Sequence, residues 1–301
     1  MSPAEGRSGT PRSGGIRACL VPIFVLVLAM GSFQLGASFA LGLFPRVGPA
    51  GAAALRILAS SLILGFVRRP WRSLGRGRPL TGLVIYGLAL GSMNTLFYMA
   101  LKTLPLGVAV AIEFTGPLGV ALAASRRWMD LIWIGLAAAG LSLLLPLGLS
   151  GDAVDLGGAL FALGAGVFWA LYILAGRRAG LTFGADAAGL GVIVAALVFV
   201  PAQYAIDGPR LFAPDLLPLA LLVGLLSSAL PYSMEMYALT RLPTRLFGTL
   251  MSLEPAVGAL AGASLMGQHL SPLQWVGIAG VMAASAGAAA AGEVPAAAPT
   301  E

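Results

Sequence analysis

Four ionisable side chains, Arg56, Glu113, Glu235 and Glu254, fall inside long apolar stretches of the chain. A charge near the centre of a bilayer costs about 2.5–3.5 kcal/mol on insertion scales, so each needs a physical reason. A carboxylate there can bind an ammonium group or carry a proton. A guanidinium can bind a carboxylate, although Arg56 lies close enough to the start of its stretch to extend its head group to the interface. Each glutamate equally admits a structural pairing. Glu235 has two such readings: it faces a cavity, or it pairs with an arginine. Neutral polar groups share these stretches: Gln34 with Ser32 and Ser38, Asn94 with Ser92 and Tyr98, and Tyr232 beside Glu235. They either hold helices together or orient a ligand. Three prolines lie close to the glutamates, Pro117 after Glu113, Pro231 before Glu235 and Pro255 after Glu254. A proline inside a helix leaves a carbonyl without its N–H partner and breaks the run. Trp169 and Tyr172 read as packing residues or interfacial anchors.

The elements that carry these groups are membrane helices. Of 301 residues 58% are hydrophobic and only 10% charged, with a mean hydropathy of +0.91. Soluble domains carry about 25% charged residues. At about 20 apolar residues per span, the pattern predicts ten. They are Cys19–Leu43, Ala50–Val67, Pro79–Leu101, Leu104–Ala124, Leu131–Leu149, Leu156–Ala175, Asp186–Tyr204, Leu216–Leu239, Pro243–Met266 and Gln274–Ala291. A cleaved signal peptide competes for the first, with Val27-Leu28-Ala29 as the small-residue site, but the apolar run continues well past it. Residues 1–18 and 292–301, rich in Gly, Ser, Pro and Ala, read as disordered cytoplasmic tails.

Charge sets the orientation. With ten spans, fourteen of the Lys and Arg residues fall on the side of the termini, three (Arg46, Lys102, Arg210) on the other, and Arg56 within a span. Basic loops stay in the cytoplasm, which places both termini there. The net charge of +6 is thus spent on orientation, and nucleic-acid binding is not expected.

The chain also repeats itself. Ala100-Leu101-Lys102-Thr103-Leu104-Pro105 aligns with Ala238-Leu239-Thr240-Arg241-Leu242-Pro243 at an offset of 138, and Pro117 aligns with Pro255 at the same offset. Trp133-Ile134-Gly135 resembles Trp275-Val276-Gly277, and Gly31-Ser32-Phe33 loosely matches Gly166-Val167-Phe168. The expected fold is an all-α polytopic membrane protein, ten transmembrane helices as two inverted five-helix repeats, 19–149 and 150–291. Inverted repeats of this kind belong to secondary transporters, with the site near midplane. Glu254 aligns with Gly116 and not with Glu113, a separation of about 300° of helix rotation. The two carboxylates need not be symmetry mates.

Enzyme signatures are missing. No Gly-x-Ser-x-Gly, His-Glu-x-x-His or Gly-x-x-x-x-Gly-Lys occurs, so neither hydrolysis nor direct use of ATP is indicated. One cysteine, Cys19, excludes an internal disulfide, and one histidine, His269, excludes a metal site built on several His and Cys. No cofactor is expected. Asp152 and Asp155 read as surface solvation, with a weak cation site as the lesser alternative.

Several longer words resemble the drug/metabolite transporter superfamily in its EamA-type, ten-span branch, over about residues 20–290. Ala100-Leu101…Leu104-Pro105, Glu254-Pro255 and Gln274-Trp275-Val276-Gly277 resemble the branch as a whole. Ala54-Leu55-Arg56, Glu113-Phe114-Thr115-Gly116-Pro117-Leu118, Leu163-Gly164-Ala165-Gly166, Leu230-Pro231-Tyr232-Ser233-Met234-Glu235-Met236 and Phe247-Gly248-Thr249-Leu250-Met251-Ser252 are most similar to the threonine/homoserine exporters. The resemblance implies export of small neutral amino acids against protons across a bacterial inner membrane, and it is compatible with a homodimer. Where family members often carry Gly-Glu after span 9, this chain has Gly267-Gln268-His269.

Overall fold

The computed structural model describes residues 14–75, 78–124, 130–144, 155–239, 241–242 and 244–291. Among them all regular structure is helical: α1 Gly14–Ala40, α2 Phe44–Arg68, α3 Thr81–Leu101, α4 Leu106–Glu113, α5 Thr115–Ala124, α6 Asp130–Leu144, α7 Leu156–Phe183, α8 Ala187–Asp207, α9 Leu217–Gly224, α10 Leu230–Leu239, α11 Thr244–Met251, α12 Glu254–Met266 and α13 Pro272–Ala291. Six stretches are long and apolar enough to cross a membrane. Large apolar side chains such as Phe66, Leu181 and Ile206 stand exposed on the outside. In water that surface would be a liability, and against hydrocarbon it is a match. The chain is a polytopic helical membrane protein.

The first of these stretches, Leu20–Arg68, has 49 residues. At 1.5 Å per residue that is about 74 Å, far more than one crossing of a hydrocarbon core about 30 Å thick. The break lies at Gly48, with φ 64° and ψ 176° inside α2. A side chain would be strained there, and Pro49 resumes the helix with its φ already set. Arg46 beside the break pairs with Asp215 at 2.7 Å, tying it to the segment before α9.

Other expected boundaries moved. α1 begins at Gly14, so residues 14–18 belong to the helix and not to a tail. α7 runs on to Phe183, which puts Arg177 and Arg178 on the helix and not in a loop. Residues 1–13, 145–149 and 292–301, and the charges Arg76, Arg126, Arg127 and Asp152, lie outside the described residues.

Helix starts are built from local chemistry. Asp155 caps α7 by accepting the Gly158 N–H at 2.7 Å, and it also accepts from the Thr103 hydroxyl at 2.9 Å. These bonds, the backbone one first, hold its carboxyl below the ordinary aspartate range. Asp155 is exposed, as surface solvation predicts, and its carboxylate also serves as the cap of α7. Ser271 and Gln274 form a reciprocal capping box at α13. Gln268 accepts the Leu106 N–H at 2.9 Å and so caps α4 from across the bundle. Gln268 supplies that acceptor without a charge.

α3 packs on α7, α1 on α10, α2 on α8, α4 on α12 and α6 on α13. Small residues let these helices approach: an added Cβ at Gly107 would strike Ala259, and one at Gly140 would lie 2.8 Å from the Gly277 carbonyl. Among the described residues the largest buried cluster includes Leu43, Tyr98, Leu104, Leu106, Leu211 and Leu216.

Candidate functional site

Three of the helical runs are interrupted, each beside one of the expected prolines. The Leu104–Ala124 run breaks at Phe114 between α4 and α5. Pro117 lies in the first turn of α5, where its missing N–H has no intrahelical role. Ser252 and Leu253 separate α11 from α12, and Pro255 is the second residue of α12. Between α9 and α10 the backbone widens into a π-helical turn, Leu225–Ala229, and Pro231 follows in the first turn of α10. The prolines sit just past the breaks and not at them.

The breaks place the carboxylates at helix ends. Glu113 is the last residue of α4 and Glu254 the first of α12. A helix N-terminus favours negative charge and a C-terminus disfavours it. The two glutamates thus occupy electrostatically opposite positions. Both are buried, and Glu254 Oε2 has no hydrogen-bond partner among the described residues.

Arg56 does not reach the interface. It is 7% exposed and held inside the protein. Its Nη1 donates to Asn94 Oδ1, and Nη2 donates to the Ser227 carbonyl at 2.7 Å. Asn94 is fixed in turn by donating Nδ2 to the Leu90 carbonyl at 2.7 Å. The Ser227 carbonyl is available for a local reason. Its α-helical donor would be the N–H of residue 231, which is proline. The guanidinium fills the gap and cross-links α2, α3 and the π turn. The Ser32 hydroxyl likewise donates to the Leu226 carbonyl at 2.7 Å.

These groups meet at a cavity of about 200 Å³. Its wall includes Gln34, Arg56, Asn94, Glu113, Tyr232, Glu235 and Glu254, which the sequence singled out, together with Phe33, Met93, Phe97, Val110, Trp169, Tyr172, Ser227, Phe247 and Met251. Tyr98 is not on the wall. It is fully buried behind it, its ring 5.7 Å from the Arg56 guanidinium. Trp169 and Tyr172 line the cavity and are not interfacial anchors, and Trp169 meets Phe114 edge-on at 5.3 Å. Ser227 was missed. Its signal was legible, since Ser227 precedes Pro231 by four residues. Met93 carried none, being indistinguishable in sequence from lipid-facing side chains, and Phe247 and Met251 stood only in the word Phe247-Gly248-Thr249-Leu250-Met251-Ser252 with no role attached.

The chemistry of the cavity is a fixed cation, three carboxylates and apolar walls, a set suited to a small molecule carrying both charges. Among the described residues no group of His, Cys, Asp and Glu could hold a metal ion.

Comparison with known proteins agrees with this class of site. Residues 156–289 match the EamA-like transporter family. By that match and by its relatives, the chain belongs to the EamA-like branch of the drug/metabolite transporters and is a transporter, not an enzyme. It is 51% identical over 267 residues to the threonine/homoserine exporter RhtA of Salmonella typhimurium (strain LT2), covering 89% of this chain and 90% of that protein. It is 50% identical to the exporter of the same name from Escherichia coli (strain K12), with the same coverage. An uncharacterized inner membrane transporter, YedA of Escherichia coli (strain K12), is 28% identical over 85% of both chains. A solved crystal structure shares the fold, with a TM-score of 0.56 at 19% identity, over 91% of this chain and 97% of that one.

Proposed function

We propose that this protein exports small neutral amino acids of the threonine and homoserine type from the cytoplasm in exchange for protons. The observation that carries the reading is the cavity itself, where Arg56, Glu113 and Glu254 meet inside the membrane. A zwitterion needs both charges met. The Arg56 guanidinium suits the carboxylate group, and the unpartnered Glu254 Oε2 suits the ammonium. Protons and ammonium compete for the same buried carboxylates, which is the requirement for exchange. Its about 200 Å³ falls below the roughly 300–1,000 Å³ typical of drug-sized ligands. That favours an amino acid over the alternative cargo, a drug or larger metabolite. The names of the relatives at 50–51% identity support the same cargo.

The ten-span, two-repeat architecture supports alternating access. Helix contacts come in pairs that exchanging the halves would generate: α3 with α7 and α1 with α10, α4 and α5 with α7 and α12 with α1. Both termini are proposed to be cytoplasmic, and an exporter loads its cavity from that side. Everted membrane vesicles offered labelled threonine test the reading. Uptake that rises with an imposed proton gradient is expected, and no uptake by fully inserted protein overturns it.

A further inference from the structure

Recognition of the zwitterion leaves one buried group on the cavity wall unexplained. Gln34 of α1 is 3% exposed, lines the cavity, and its amide makes no hydrogen bond to the described residues. The neighbouring polar groups are committed. Asn94 uses both ends of its amide, on Arg56 and on Leu90. The Ser227 hydroxyl donates to the Val223 carbonyl. A polar side chain that faces a ligand cavity with no protein partner marks where a ligand's polar atom belongs.

The position of Gln34 says which atom. A Cβ added at Gly258 would lie 3.5 Å from Gln34 Oε1, so the amide stands against α12 at Gly258. Gly258 is four residues, about one turn, beyond Glu254 on the same face. The amide therefore stands about one turn of α12 from the residue assigned to the ammonium, on the same cavity. Phe33, Met93 and Met251 add apolar surface to the same wall. A primary amide both donates and accepts, and so does an aliphatic hydroxyl. A methyl group in the same place would leave the amide unpaired.

We infer that Gln34 is the specificity-determining residue that selects a hydroxylated aliphatic side chain over its apolar isostere. The inference rests on the amino-acid export reading and adds to it a discrimination that charge recognition at Arg56 and Glu254 does not supply. Threonine and valine isolate it, since they differ by a hydroxyl in place of a methyl.

The test compares kcat/KM for labelled threonine and valine in everted vesicles. Wild-type protein is expected to prefer threonine by about tenfold or more, the usual scale of one net hydrogen bond. Gln34→Met keeps length and flexibility but removes the amide. It is expected to cut the threonine-to-valine ratio about tenfold while valine transport stays within about twofold. Equal loss of both substrates would mean a structural role and overturn the inference, as would an unchanged ratio. No wild-type preference would mean that water satisfies the amide, and it too overturns the inference while leaving export standing. Gln34→Asn, which retracts the amide by one methylene, is the second variant. If Gln34→Met inserts poorly, an unchanged ratio in Gln34→Asn overturns the inference and a lowered ratio with valine transport intact supports it. Wild-type protein that moves neither amino acid would sink the export reading instead.

Discussion

The two broken helices beside the cavity look like copies and are finished differently. In the first, Gly116 follows the break, and a Cβ added there would drive into the Gly166 carbonyl. One at Gly166 would in turn lie 2.7 Å from the carbonyl of Glu113. α5 and α7 are thus locked main chain to main chain. In the second, the residue aligned with Gly116 is Glu254, and the glycine matching Gly166 is Gly31, which has nothing within 4 Å of its would-be Cβ. One break is closed by packing. The other carries a carboxylate with an unpartnered oxygen. The lesson is that two similar breaks need not carry the same chemistry: the first is pinned against α7 at Gly116, and the second begins α12 with the carboxylate of Glu254.

The strongest way to break that comparison is to fill both glycines. Gly116→Val forces a branched side chain against backbone that has no rotamer to change, and a cost of about 3 kcal/mol or more is expected. Loss of the monodisperse folded peak in detergent would register it. Gly31→Ala is expected to change stability by no more than about 0.5 kcal/mol. Equal sensitivity at the two sites would erase the asymmetry.

Next come the carboxylates. Glu254→Gln removes the charge assigned to the ammonium and is expected to lower threonine export at least about thirtyfold. Glu113→Gln, at the end of α4, is expected to alter the pH dependence of export more than the affinity for threonine. Normal export with an unchanged pH profile would remove Glu113 as a proton site. Identical behaviour of the two variants would mean that the halves share one role.

A smaller effect separates the hairpins that lead into the two breaks. In the first, Thr103 donates to Asp155; in the second, the aligned Arg241 stacks over the Tyr237 ring at 3.8 Å. Asp155 has a carboxyl held below its ordinary range by the Gly158 N–H and the Thr103 hydroxyl. The folded-state value is the lower one. Its contribution is therefore complete above the unfolded value of about 3.9 and fades as pH falls through the folded value. Asp155→Ala is expected to lower Tm modestly at neutral pH, and the gap from wild type should close in acid. A gap independent of pH would mean that the carboxyl's charge plays no part in the cap.

Much of this was legible in residues alone. Paucity of charge dictated membrane helices, because unpaired charge is expensive in hydrocarbon. Arg56, Glu113 and Glu254 announced a cavity for the same reason, and their prolines announced breaks. What lay beyond reach depended on where each break falls within a turn. That registry puts Glu113 at a helix end and Glu254 at a helix start, while the packing of the unbroken α3 sets Tyr98 behind the wall. Arg56 shows the division most clearly. Its sequence position allowed either a reach to the interface or a carboxylate partner. Only the packed structure brought it to the carbonyl freed by Pro231, since a hydrogen bond between α2 and the π turn depends on helix positions that no local pattern encodes.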